Sequence, residues 1–237
     1  ASSTTRHDAL FENHAAIATG TLNILESVRK HFPNAKVFIP GSGVQFENHG
    51  KPISENDAFS PISAYAVSRI YSVYAARYFR KMGIKVYVGY LFHHESPQRK
   101  PTHVSQKIAQ LACRVAQGST EICEIGDLSV RKEWTFAGDI ARGIFTLLSQ
   151  ESVFEAVIGS GKTYSILDWA KACFEVVGKN WRDHIREQES FQPEYRYLCS
   201  NPSTIKSLGW EPAMSFSQLA SLMVPTGSFA QRRAGKG

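Results

Sequence analysis

The chain has 237 residues, 43% hydrophobic and 20% charged, a composition that suits one globular domain or a domain plus a small lobe. The net charge of +6 comes from scattered Lys and Arg, and the one basic cluster is the tail Gln231-Arg-Arg-Ala-Gly-Lys-Gly237, expected to be a solvated, frayed end. Without a basic stripe carrying interleaved aromatics, nucleic acid is not the expected partner; the mild surplus suits an anionic small molecule. No apolar run reaches the ~20 residues of a membrane span, so no membrane partner is expected. The opening Ala1-Ser-Ser-Thr-Thr-Arg6 lacks both an initiator Met and the apolar core of a signal peptide. Cys113, Cys123, Cys173 and Cys199 form no CxxC and no metal-ligand spacing, so they read as reduced thiols of a cytoplasmic protein with no metal site.

In chain order, apolar residues at helical spacing predict a helix over 14–30, with Ile17, Leu22, Ile24, Leu25 and Val28 along one side. A nearly continuous apolar run at 36–40 predicts a strand covered on both faces. A helix rich in aromatics follows over 63–81, then a second buried strand at 85–92 and helices over 103–117 and 137–149. A third buried strand is predicted at 154–159. Strands alternating with helices of this length indicate an α/β domain with a parallel sheet, here placed at 1–160. Beyond Gly161 the texture changes to a mostly helical lobe at 161–224, with helices near 166–177, 202–208 and 215–223, followed by the tail 225–237. Three strands leave an open apolar edge, and no GxGxxG or GxxGxxG follows a predicted strand. Either upstream strands complete the sheet or another chain covers its edge.

The chemistry concentrates in two segments. Ile39-Pro-Gly-Ser42-Gly-Val44 ends a buried strand with a hydroxyl, and Ser63-Ala-Tyr65-Ala-Val-Ser-Arg69 sets a phenol and a cation one helical turn apart. Open α/β sheets bind ligands at the carboxyl ends of their strands. A hydroxyl, a phenol and a cation there suit hydride transfer at a carbinol: the phenolate takes the hydroxyl proton, the cation stabilises the phenolate, and Ser orients the substrate. By itself a Tyr followed four residues later by Arg is the ordinary pattern of a core-facing helix.

The surrounding text resembles the extended short-chain dehydrogenase/reductases (the NAD-dependent epimerase/dehydratase family), and within them the GDP-mannose 4,6-dehydratases. Gly20-Thr-Leu-Asn-Ile-Leu-Glu-Ser-Val28 is similar to their "GTL..LL.AV" helix, and Tyr65-Ala-Val-Ser-Arg69 sits where they carry YxxxK. Leu91-Phe-His-His-Glu-Ser-Pro-Gln-Arg99 is similar to "LFNHESPRR", the most specific match. Gly126-Asp-Leu-Ser-Val-Arg-Lys-Glu-Trp134 resembles "GNLDAKRDW", and the segment from Ser200 to Pro212 resembles the closing "GD..KAK..L.W.P". The resemblance implies a Rossmann-like doubly wound sheet, here without its N-terminal strands, NADP as cofactor and a nucleoside-diphosphate sugar as substrate. It also implies a lyase reaction: oxidation at C4, loss of water across C5–C6, and return of the hydride at C6. By position it implies Tyr65 as general base, Ser42 as the substrate-orienting hydroxyl and Arg69 as the cation. Tyr65, Arg69, His94 and Arg99 would border the cofactor, and His93, Lys107 and Lys132 the substrate. A homodimer through the Tyr65 helix is implied as well, with Ile70, Val73, Tyr74, Ala76 and Phe79 as the apolar side chains that outnumber one buried face.

Several positions depart from the family pattern. Arg69 replaces Lys, and its guanidinium is larger and stays protonated. Val44 replaces the Glu that removes the C5 proton, which valine cannot do. Gln98 and Gln192 stand where Arg is usual, and the glycine-rich turn that seats a dinucleotide pyrophosphate is not found. Three readings follow: a nucleotide-sugar dehydratase, a non-catalytic scaffold that binds a nucleotide sugar or a partner protein, and an epimerase or reductase that does not need the Glu.

Overall fold

The computed structural model describes residues 10–224; the polar opening and the tail 225–237 lie outside the described residues. Helix α1 (Leu10–Asn13) runs through a π-helical stretch, His14–Thr19, into α2 (Gly20–His31). Arg29, Lys30 and His31 fill the last turn of α2, where cations meet the negative end of the helix dipole. Then come β1 (Val37–Ser42), α3 (Ala64–Lys81), β2 (Val86–Leu91), β3 (His94–Glu95) and α4 (Val104–Ala116). Short strands β4 (Cys123–Ile125), β5 (Arg131–Glu133) and β6 (Thr135–Phe136) lead to α5 (Ala137–Leu148) and β7 (Glu155–Ile158). The rest is β8 (Thr163–Ser165), α6 (Ile166–Val176), β9 (Ile185–Glu187), β10 (Tyr197–Leu198), α7 (Ser203–Ser207) and α8 (Phe216–Met223).

The three predicted strands form one parallel sheet in the order β1-β2-β7, with Ser42 opposite Leu91 and Leu91 opposite Ile158. The continuous apolar run of β2 has a direct cause. Val86, Val88 and Tyr90 join one core with Leu25, Val73, Ala76 and Phe79 of α2 and α3. Tyr87 joins another with Ile140 and Leu147 of α5, Ile158, Ile205 and Trp210. Helices on both faces of a parallel sheet make this a Rossmann-like α/β fold. Among the described residues β1 is paired on one side only. Thr21 Oγ1 donates to Ser72 Oγ at 3.1 Å, and Ser72 Oγ lies 3.2 Å from the Ile17 carbonyl, pinning α3 to the helix before the sheet.

A third core gathers α4, α6 and α8 around the short strands, with residues from Ile108 to Val224. Trp134 and Trp169 stack at its centre, 4.6 Å between centroids and 10° between planes. Trp169 also donates its indole N–H to the Ser105 carbonyl at 3.0 Å. Strand β5 lies between β10 and β8, and β4 pairs with β9, so the segment around 120–135 is tied to residues 163–198. No disulfide joins the four cysteines, and burial pushes the Cys173 thiol up. No helix among the described residues is long and apolar enough to cross a membrane.

On α3, Val73, Ala76 and Phe79 face the protein's own core rather than a second face. The exposed apolar stripe is instead Val67, Tyr71, Tyr74 and Tyr78, spaced along one side of the helix.

Candidate active site

The carboxyl ends of β1 and β2 open into a cavity of about 500 Å³. Ser42 closes β1, and its backbone N–H donates to Gln45 Oε1 at 2.8 Å, which turns the chain sharply away from the sheet. The glycines on either side are required by close approach. A Cβ on Gly41 would stand 2.5 Å from the Tyr90 ring, and one on Gly43 2.8 Å from the Phe92 ring.

Helix α3 begins beside this turn. Ser63 caps it by accepting from the Ala66 N–H at 3.1 Å, which sets Tyr65 in the first turn with 8% of its surface exposed. Arg69 follows one turn later. One of its terminal nitrogens donates to the Pro40 carbonyl at 2.7 Å, and its guanidinium carbon stands 5.1 Å from the centre of the Tyr65 ring. The cation is therefore clamped to the end of β1 and lies against the phenol ring. Its Nε is buried with no hydrogen-bond partner.

The opposite wall comes from the segment after β2. His93 and His94 line the cavity, with Arg99 and His103 behind them and Lys132 from β5. Lys132 is buried, its ammonium 5.0 Å from the centre of the Trp134 ring. Burial, with Arg99 adding to it and Glu95 opposing it, pushes Lys132 down to about 8. Burial also pushes His93 down to about 4 and His103 to about 3, against the opposing pull of Glu95. Burial works against the Glu95 carboxylate, but the facing His93, His103 and Arg99 overcome it and hold the group ionised below the usual range.

Of the residues singled out from the sequence, Ser42, Tyr65, Arg69, His93, His94, Arg99 and Lys132 come together on this one cavity. Lys107 does not. It projects from the exposed side of α4, and its ammonium donates to the Glu124 carbonyl at 3.4 Å. Gln98 sits in an exposed turn. Val44 borders the cavity and packs against the core under β1, offering no proton acceptor. Four residues went unremarked in the sequence: His103, Glu194 and Tyr195, which line the cavity, and Glu95 behind it. His103 carries one signal, since it caps α4.

A family model for GDP-mannose 4,6 dehydratase matches residues 11–223. The chain belongs to the GDP-mannose 4,6-dehydratase family. Among curated relatives, GDP-mannose 4,6 dehydratase 1 of Arabidopsis thaliana is 32% identical over 216 residues, covering 88% of this chain and 60% of the relative. The chain thus spans about 60% of that relative's length. Among solved structures, RMD from Pseudomonas aeruginosa, complexed with NADPH, superposes with a TM-score of 0.82 at 20% identity, over 94% of this chain and 78% of that one. A UDP-glucuronic acid 4-epimerase from Bacillus cereus, in complex with UDP-glucuronic acid and NAD, gives 0.75 at 19% identity, over 87% and 65%. At these identities the two structures establish the fold: this member of the dehydratase family has the extended short-chain dehydrogenase architecture.

Proposed function

We propose that the chain supplies the catalytic and sugar-binding portion of a cytoplasmic nucleotide-sugar dehydratase that works with NADP on GDP-mannose or a close relative. The observation that carries this reading is the convergence of Ser42, Tyr65 and Arg69 with Arg99 and Lys132 on one cavity at the strand ends. Arg99 and Lys132 offer charge for a diphosphate, and Tyr65 and Ser42 offer a proton acceptor and an orienting hydroxyl for a sugar carbinol. The residues fit one end of a dinucleotide: a phenol and a guanidinium with a buried free N–H, at a strand end, suit a nicotinamide ribose. They do not supply the other end, since no glycine-rich strand-turn-helix lies among the described residues. When bound, the nicotinamide accepts and returns the hydride. Tyr65 takes the proton from the sugar hydroxyl, Ser42 holds that hydroxyl in line, and Arg69 stabilises the phenolate from its face.

A second reading is a binding protein without turnover. Val44 favours it, because an isopropyl group cannot take the C5 proton, and so does the clamping of Arg69 onto Pro40. Turnover of GDP-mannose with NADP, by the parent and by an Arg69→Lys/Val44→Glu variant, separates the two. A parent that forms the 4-keto-6-deoxy product supports the enzyme. A silent parent beside an active variant supports the binding protein. If neither protein binds NADP(H) or GDP-mannose in calorimetry, both readings fail. The stripe Val67, Tyr71, Tyr74 and Tyr78 supports a homodimer through α3, which light scattering at micromolar concentration tests.

A further inference from the structure

Strand β3 pairs with β6 and turns the Glu95 carboxylate inward, where it is 1% exposed. Three nitrogens face it. His93 Nε2 is 2.8 Å and His103 Nδ1 3.4 Å from Oε1, while Arg99 Nε is 3.2 Å from Oε2. Despite these distances, neither carboxylate oxygen, nor His93 Nε2, nor Arg99 Nε makes a hydrogen bond of acceptable geometry. A buried carboxylate is ordinarily satisfied by hydrogen bonds, so the cluster is incomplete as it stands.

Two ring nitrogens point at this carboxylate. His93 Nδ1 lies 2.8 Å from the Glu133 carbonyl, which leaves Nε2 to face Glu95. His103 Nδ1 lies 2.7 Å from Ser105 Oγ and accepts from the Ser105 N–H at 3.4 Å, bonds that a metal at this nitrogen would displace. The two nitrogens and a carboxylate oxygen all lie within 4.8 Å of one another, and the carboxylate they surround is buried without a hydrogen bond.

We propose that His93, Glu95 and His103 form a three-ligand site for a divalent transition metal, Zn²⁺ foremost, with its fourth position open to the cavity. Two imidazoles and a carboxylate are a recurrent zinc donor set. With bonds of about 2.0–2.1 Å, tetrahedral ligand atoms stand about 3.3 Å apart. The separation of His103 Nδ1 from Oε1 already matches this, and that of His93 Nε2 must open by about 0.5 Å. The hydrogen bond from His93 Nδ1 to the Glu133 carbonyl is the usual outer-shell support that orients a metal-binding imidazole. Arg99 occupies Oε2 and leaves Oε1 for the metal. Arg99 and Lys132 oppose a dication, so the expected affinity is roughly micromolar, well short of a structural zinc site.

The test uses the full chain, dialysed against chelator and titrated with Co²⁺. The expected result is one equivalent bound, with the visible bands of four-coordinate cobalt, displaced by one equivalent of Zn²⁺. In NMR the imidazole signals of His93 and His103 move together on adding Zn²⁺, while the exposed His49 stays put; this readout needs no variant. Glu95→Gln and His103→Phe each weaken binding by more than the roughly 10–100-fold expected for loss of an outer-shell partner. Absence of cobalt binding at tens of micromolar overturns the proposal. So does cobalt binding that survives the double variant, or that moves histidines other than these two.

Discussion

Glu155, at the start of β7, carries a load that can be measured. Its carboxylate accepts from Arg77 Nε at 2.9 Å, from an Arg77 terminal nitrogen at 2.7 Å, from Tyr90 Oη at 2.6 Å and from Arg80. These bonds lock α3 to β2 and β7, and the carboxylate is 14% exposed. Burial pushes its carboxyl up, but Arg77, Tyr90 and Arg80 outweigh burial and hold it at about 2, against an ordinary 4.5. At about 1.4 kcal/mol per tenfold, that gap amounts to roughly 3 kcal/mol, an upper figure because Arg77 is partly solvated. A depressed folded pKa stabilises at pH above the unfolded value, and the contribution is lost as pH falls from about 4.5 towards 2. Urea unfolding of wild type and Glu155→Gln at several pH values gives the check. The variant should be roughly 2–3 kcal/mol less stable at pH 7, since Gln keeps the shape and leaves two arginines without their counter-charge. The difference should shrink as pH falls through that window. Other carboxylates titrate equally in both proteins and cancel. Equal stability at pH 7, or a difference constant with pH, refutes the reasoning.

Other consequences follow from single contacts. A Cβ on Gly159 would stand 2.4 Å from Glu133 Oε2 and 2.5 Å from Ser200 Oγ. Gly159→Ala should therefore lower stability by about 1–3 kcal/mol in thermal melts, through the buried Glu133 that also accepts from the backbone of Ser160 and Ser200. Ser165 and Asp168 form a capping box at the start of α6, so Ser165→Ala should lose about 1 kcal/mol, and Ser165→Asp should recover most of it. If α3 pairs two copies, Tyr74→Lys/Tyr78→Lys should convert a dimer to a monomer in sedimentation. Because both side chains are exposed, the melting point of the isolated chain should move little.

Much of this fold is legible in the sequence, for a physical reason. Strands β1, β2 and β7 are buried on both faces, so each leaves an unbroken apolar run, and α3 to α6 carry apolar stripes long enough to fix their period. The short strands leave no such trace. β3, β6 and β10 have two residues each, and β4, β5, β8 and β9 three; they exist because distant segments pair, as β5 does with β8 and β10. The site follows the same division. Ser42, Tyr65 and Arg69 lie at the ends of long elements and within recognisable motifs. His103 and Tyr195 reach the cavity only through the packing of the third core. Lys107 illustrates the converse. Helix α4 buries Ile108, Leu111, Ala112 and Val115, and that stripe turns Lys107 outward however its flanking motif reads.

The supply of proton acceptors around the cavity narrows what chemistry this chain can carry. In the proposed reaction Tyr65 removes a hydroxyl proton, but water loss needs a second base for the C5 proton, and Val44 stands where the family resemblance places that base. Two other carboxylates stand near. Glu95 is held strongly ionised by Arg99 and the two histidines, which makes it a weak base, and it lies behind His93 rather than on the cavity wall. Glu194 lines the wall, and burial raises its carboxyl, which makes it the better acceptor of the two. Any dehydration by this chain should therefore depend on Glu194. Glu194→Gln should reduce formation of the 4-keto-6-deoxy product by roughly 10²-fold or more while leaving sugar-nucleotide binding in calorimetry unchanged. Epimerase- or reductase-type turnover would need Tyr65 alone and should survive that variant. A dehydration rate indifferent to Glu194 would refute this assignment and pass the role to another group on the cavity wall, such as His94.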